Sequence, residues 1–344
     1  MVEQTENNII NIIKERVPLY YPDLFSSPVS IKKNKFQKRC HTSIIYQYDL
    51  HNCKDILKSL IVKKRIYNPA YNNDIKRDTM LEFEVLSHLN KLADGKFSIP
   101  RALDALPAEG VLITEKVEGR SLHSYIQGAS VLPMTKAKRE FFNKTFYKTG
   151  EWLREFHSAV ANGKKERINT DECINKARLI IDKFYTLGFP QKLGRTVLKT
   201  MNTLKKEVSS FEFPLAIKHG DFQPMNIFYS DNKISAMDFG FSKYDITIKD
   251  VCNFIVSIDI FFLKYPSLFW KDKYTKSFTD EFLNGYYKDG YIQLGTLKFL
   301  KCLGTPESLD KVYERNKNSI IRKKIISFYK DKIQVTINED RSMV

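Results

Sequence analysis

The sequence predicts an α+β chain folded as two lobes: a small lobe built on an antiparallel sheet with one main helix, and a larger, mainly helical lobe. At 344 residues the chain exceeds the roughly 250–300 at which a single core stops growing efficiently. Strand-like segments cluster between Val29 and Tyr67, whereas helical periodicity dominates beyond Ser121. A compact strand-rich block from Pro214 to Phe239 interrupts that helical stretch. The lobe boundary falls near Glu115 to Gly119, which gives a helical extension over 1–28, a first lobe over 29–117 and a second over 118–344.

Taken in order, Ile9, Ile10, Ile12 and Ile13 stand at helical spacing and predict a short amphipathic helix over Asn7–Val17. VSI, TSIIYQYDL and LKSLIVKKRIY, separated by polar breaks, read as three antiparallel strands. Leu81, Val85, Leu86 and Leu89 then form the apolar stripe of a helix over Thr79–Leu92. GVLITEKVEG is a strand closed by a glycine turn. Beyond it the clearest helices are Lys138–His157, Asn175–Tyr185, Phe278–Tyr287 and Ser319–Ile333.

Hydrophobic residues at 42% and aromatics at 13% supply a sizeable core, and the 28% charged fraction does not suggest disorder. The start MVEQTENN is acidic and polar, unlike a secretory leader, so export is not expected. The most apolar run, Val251–Leu263, contains Asn253 and Asp259 and falls short of the roughly 20 residues that cross a bilayer. Cys40, Cys53, Cys173, Cys252 and Cys302 are odd in number, scattered and without a C-x-x-C pair, and read as reduced thiols in a cytoplasm. Lys and Arg outnumber Asp and Glu by 56 to 40, a formal charge of +16 that attracts polyanions or anionic membrane surfaces. The same excess in a protein with no such partner is the plain alternative.

The chemistry is concentrated in PLAIKHGDFQPMNIFYSDNKISAMDFG. It runs strand, His-Gly-Asp, an Asn five positions after that Asp, strand, polar turn, strand, Asp-Phe-Gly. Phosphoryl transfer needs a carboxylate to accept the proton of the attacking hydroxyl and hard oxygens to hold magnesium against phosphates. Asp221 supplies the first; Asn226 and Asp238, brought together by a hairpin at Ser230–Lys233, supply the second. Gly220 permits a backbone conformation that a side chain would obstruct. Either tripeptide alone is weak evidence; their order and spacing together are specific.

H-G-D-F-Q-P-M-N followed by I-S-A-M-D-F-G resembles the Brenner-type signature of the aminoglycoside phosphotransferase and choline kinase superfamily, and the resemblance runs coarsely from Ile31 to Tyr287. It implies a bilobal protein-kinase-like fold and a kinase using ATP and Mg2+. In S-L-I-V-K, Lys63 occupies the place of the family's phosphate-binding lysine, and Glu82 that of its helix partner, with Glu84 the competing choice. V-L-I-T-E-K-V-E-G resembles the hinge, where backbone groups of Glu115 and Val117 would take adenine. Asp250 of K-D-V-C resembles the residue that braces the catalytic loop. W-L-R-E-F-H and F-L-N-G-Y are weaker anchors.

One departure stands out: no glycine precedes Gly95, so the loop expected near Lys32–Ser43 is not a Gly-rich phosphate cradle. Lys35, Lys38, Arg39 and Ser43 offer side-chain contacts in its place, a solvated basic loop being the simpler account. His219 reads as a loop support, and His157 as a packed helix-end residue. Phe261, Phe262, Tyr265, Phe269 and Trp270 read as core filling, with sugar stacking as the alternative. The amphipathic, basic IIRKKIISFYKDKI either packs on the lobe or docks on the inner face of an anionic membrane.

A cationic acceptor is best held by acidic residues, and this chain is basic. The acceptor expected is therefore a neutral or anionic small molecule or glycan, such as a sugar hydroxyl of a lipopolysaccharide core; the alternative is an aminoglycoside or choline-like amine. From another class, a non-catalytic module binding anionic lipid or nucleic acid is the competing reading. Nucleic acid is otherwise not expected as a partner, and no protein partner is predicted.

Overall fold

The computed structural model describes residues 2–26, 29–52, 55–129, 133–263, 271–288, 290, 293–315 and 327. The helix expected over Ser319–Ile333, and Tyr265, Phe269 and Trp270 of the aromatic cluster, lie outside them, as does the side chain of Phe262. The chain divides into two compact units. The first comprises residues 1–119 together with 235–242, and the second the remainder.

In the first unit, α1 (Val2–Tyr20) is followed by β1 (Ser30–Arg39), β2 (Ser43–His51), β3 (Ile56–Arg65), α2 (Ile75–Ala93), β4 (Ala102–Leu106) and β5 (Val111–Glu115). The strands form one antiparallel sheet in the order β1-β2-β3-β5-β4. Strand alternation puts Tyr46, Tyr48 and Leu50 of β2 and Leu60 and Val62 of β3 into one buried cluster. Ile9, Ile13 and Val17, one turn apart on α1, join it with Tyr21, so the N-terminal helix is part of this core.

β1 runs on to Arg39 through an irregularity between Lys33 and Gln37, so only Cys40–Thr42 separate it from β2. The expected basic loop over Lys32–Ser43 is therefore mostly strand. Asn34 explains the bulge: its Nδ2 donates to Asp49 (2.7 Å) while its Oδ1 accepts from the Phe36 N–H (3.0 Å).

Asp74 caps α2 by accepting from the Arg77 N–H. Its buried residues are Thr79, Glu82, Leu86 and Leu89, while Leu81 is 49% exposed. The buried stripe is thus rotated from the one expected through Leu81, and it carries a carboxylate. Lys63 and Arg65 make that tolerable, as described below.

The second unit holds β6 (Arg120–Ser121), α3 (Leu122–Ala129), α4 (Lys136–Ala159), β7 (Ala161–Glu166), α5 (Thr170–Tyr185), α6 (Gln191–Ser210), β8 (Phe213–Lys218), β9 (Ile227–Ser230), the hairpin strand β10 (Lys233–Ala236), β11 (Lys243–Ile246), α7 (Ile248–Leu263), α8 (Lys271–Tyr287) and α9 (Leu294–Arg315). The second half of β10 is already in the first unit. Short sheets β10-β9-β6 and β11-β8-β7 accompany the helices. Asp231 and Asn232 turn the β9–β10 hairpin at φ 46° and 64°, left-handed values that Asp and Asn tolerate. No described helix is long and apolar enough to cross a membrane.

α4 and α8 meet through glycines. A Cβ on Gly150 would stand 2.1 Å from the Phe282 carbonyl oxygen, and one on Gly285 would stand 1.9 Å from that of Tyr147. Alanine gains about 1 kcal/mol of helix propensity over glycine, but a methyl group that close to a backbone atom has no room to yield. Gly285→Ala is expected to lower stability by about 1–3 kcal/mol net, read as a drop in the urea midpoint at unchanged m value; an unchanged or raised midpoint contradicts this packing.

Candidate active site

The first group of candidate residues lies within the first unit. Lys63 is the last residue of β3 on the face opposite Leu60 and Val62 before Arg65, and its Nζ lies 3.0 and 2.9 Å from the two carboxylate oxygens of Glu82 and 2.7 Å from Asp238 Oδ1. Glu82 is 3% exposed, whereas Glu84 is exposed, so the helix partner of Lys63 is Glu82. Burial alone would lower the Lys63 ammonium, but Asp238 and Glu82 outweigh it and hold it above the usual lysine range, with Arg65 acting against them. Asp238 sits at φ 69°, in the left-handed region that costs a non-glycine residue about 1–2 kcal/mol. Its Oδ1 anchors to Lys63 there.

Glu115 ends β5. Its N–H donates to the Arg101 carbonyl, and the next residue, Lys116, donates to the Ser59 carbonyl. Its carboxylate accepts from the Tyr21 hydroxyl, which ties α1's end to this strand end. Val117 follows in the half-buried connection. Ser43 is buried at the start of β2, opposite Arg65, with its carbonyl accepting from the Cys40 N–H (2.8 Å). Lys35, Lys38 and Arg39 lie along β1, all three exposed.

The second group lies within the second unit, on the loop between β8 and β9. Gly220 adopts φ 82°, which turns the chain after His219. Asp221 Oδ2 accepts from Gln223 Nε2 (2.8 Å) and Asn226 Nδ2 (2.9 Å), and the Asn226 amide also donates to the Asp221 carbonyl (2.9 Å). Phe222 plugs the loop into the helical core, stacked on Trp152 at 5.6 Å and packed on Phe254 at 5.2 Å.

Asp250, in the first turn of α7, is 1% exposed and accepts from the His219 N–H (2.6 Å), the Gly220 N–H (3.0 Å) and His157 Nε2 (3.2 Å). Burial by itself would raise its carboxyl, but the His157 hydrogen bond leads the contributions that outweigh burial and hold it below the usual Asp value. His157 Nδ1 in turn shares a hydrogen bond with the Tyr286 hydroxyl (2.9 Å). His157, expected as a packing residue, is thus the centre of a chain from α8 through α4 to the Asp221 loop. Its partners lie 93 and 129 positions away, beyond the reach of any local pattern.

Among the described residues no cluster of three His, Cys, Asp or Glu side chains offers a protein-only metal cage. Magnesium does not require one, since it is commonly held by one or two protein oxygens plus phosphates and water. The donor chemistry of Asn226 and Asp238 fits that pattern: each offers a hard side-chain oxygen, and the Asn226 side chain bonds Asp221 through its nitrogen.

The sequence places the chain in a class. The family model described as "Phosphotransferase enzyme family" matches residues 60–293, and the chain belongs to that family. It is accordingly a small-molecule phosphotransferase with an alcohol group as acceptor, the class expected from H-G-D-F-Q-P-M-N and M-D-F-G. Solved structures give the same fold. Glucosamine kinase in complex with glucosamine, ADP and inorganic phosphate is similar at TM-score 0.55 and 12% identity, covering 91% of this chain and 83% of that one. Choline kinase from Cryptosporidium parvum Iowa II is similar at 0.54 and 12%, covering 98% and 96%. Amicoumacin kinase in complex with AMP-PNP, Ca2+ and Ami is similar at 0.52 and 16%, covering 89% and 88%. No curated protein matches the sequence. The α+β architecture is therefore the bilobal kinase-like fold.

Proposed function

We propose that the protein transfers the γ-phosphate of ATP, with Mg2+, to a hydroxyl of a sugar or other glycan acceptor. The observation that carries this reading is the Asp221 loop: a carboxylate held by two amide donors on one oxygen, on a loop pinned from beneath by Asp250. The hydroxyl proton goes to the Asp221 carboxylate. As it does, the acceptor oxygen bonds to the γ-phosphorus and the bond to the β-phosphate bridging oxygen breaks.

Lys63, oriented by Glu82, binds the nucleotide phosphates, and the Glu115 carbonyl and Val117 N–H take the adenine edge. Ser43, at the β1–β2 turn, stands at the phosphate end. Asn226 and Asp238 would hold magnesium, which when bound neutralises charge developing on the phosphates. The net charge of +16 favours a neutral or anionic acceptor over a cationic one. The likeness in fold to glucosamine kinase supports a sugar hydroxyl as acceptor. A lipopolysaccharide-core or phosphorylated glycan is the acceptor favoured, with the work done in the cytoplasm or at the inner face of the membrane.

The test is transfer of labelled γ-phosphate from Mg2+-ATP to a panel of neutral sugars, phosphorylated glycans, aminoglycosides and choline. Label on a sugar or glycan hydroxyl is expected. Label confined to the amines overturns the glycan assignment in favour of an amine kinase.

A further inference from the structure

Glu82 is held by two cations. Arg65 leaves β3 on the same face as Lys63, two residues on, and its Nη2 lies 2.5 Å from Glu82 Oε2. It is not the solvated end of the Lys63-Lys64-Arg65 run: its side chain is 8% exposed, while Lys64 turns to the opposite face and donates to the Glu109 carbonyl. Arg65 is fixed from other sides too. Its N–H donates to the Gly110 carbonyl (2.7 Å), and a Cβ on Gly240 would stand 3.4 Å from its Nη2. Lys63, Arg65, Glu82 and Asp238 make a cluster of two positive and two negative charges within the first unit.

We propose that Arg65 is a positioning residue for nucleotide binding: it neutralises and orients Glu82, so that Lys63 can exchange Asp238 for a nucleotide phosphate without leaving a buried carboxylate uncompensated. The inference rests on the reading of Lys63 as a phosphate ligand. A carboxylate as buried as Glu82 draws whatever countercharge is nearest, because an unpaired buried charge is strongly unfavourable. If Lys63 were the sole partner, its charge would be drawn to Glu82 and its attraction for phosphate would fall.

The experiment compares equilibrium binding of Mg2+-ATP and of adenosine to the full chain, by calorimetry, for wild type, Arg65→Met and Arg65→Lys. The Met variant is expected to bind ATP about tenfold more weakly and adenosine as wild type does, and the Lys variant to recover most of the loss. Only a role directed at phosphate separates the two ligands. Equal weakening of both, or unchanged ATP affinity in the Met variant, overturns the inference. If the Met variant does not fold, Arg65→Gln, which keeps an N–H donor for Glu82 without the charge, takes its place: selective loss of ATP affinity supports the role, and equal or absent loss overturns it. A wild-type protein that binds neither ligand overturns the nucleotide reading itself, a failure distinct from a wild type that binds both and a variant that does not discriminate.

Discussion

Replacing Asp221 with Asn is expected to lower the phosphotransfer rate by about 10²–10⁴-fold, the usual contribution of a positioned general base, with nucleotide affinity near wild type. The substitution is nearly isosteric, and an Asn oxygen can still accept from Gln223 and Asn226, the donors that now hold Oδ2. The loop therefore keeps its shape and loses only the basic carboxylate that takes the proton. Initial rates at saturating ATP, set beside calorimetric ATP binding, separate these effects. A variant that turns over as fast as wild type removes Asp221 from the chemistry.

Asp250→Ala is expected to cost about 3–5 kcal/mol of stability, because it strips a buried carboxylate from three donors. The buried His219 N–H and the part-buried Gly220 N–H would then lack their acceptor, and the turn carrying Asp221 would lose its floor. Asp250→Asn keeps one acceptor oxygen and is expected to cost less. Urea midpoints of the two variants rank these costs, and an Ala variant as stable as wild type contradicts the bracing role.

Acid should reproduce part of the same loss. The folded carboxyl lies below its unfolded value of about 3.9. The stability it contributes is accordingly present above about pH 4 and disappears as pH falls through the folded value. Urea midpoints taken from neutral pH down to about pH 3 should fall more steeply for wild type than for Asp250→Asn. Parallel curves would show that Asp250 does not titrate with folding.

The residues legible in the sequence are those whose meaning is local. Lys63 ends an apolar strand, and Asp221, Asn226 and Asp238 are spaced by one loop and one hairpin, so strand alternation and turn chemistry suffice to find them. β1 to β3 follow from alternation, although β1 reads short because its Lys-rich second half carries a single apolar residue, the exposed Phe36. α6 carries a legible stripe through Val197, Met201 and Val208, whereas α9 shows none as clear; α9 contains Pro306, and its start meets Glu207 of α6, whose carboxylate oxygens crowd Gly295. Arg65 reads, with its neighbours, as a charge run, although period-two geometry places it on the Lys63 face. The His157–Asp250–Tyr286 chain joins three helices and exists only after they pack.

Segment 235–242, which carries Asp238, belongs to the first unit although more than a hundred residues of the second precede it. During synthesis the first 119 residues emerge without the piece that completes their ion cluster. At about 5–20 residues per second it arrives roughly 6–25 s later. Through that interval Lys63, Arg65 and Glu82 stand with one negative charge too few, and no cut at Gly119 yields a nucleotide-binding half that contains its own Asp238.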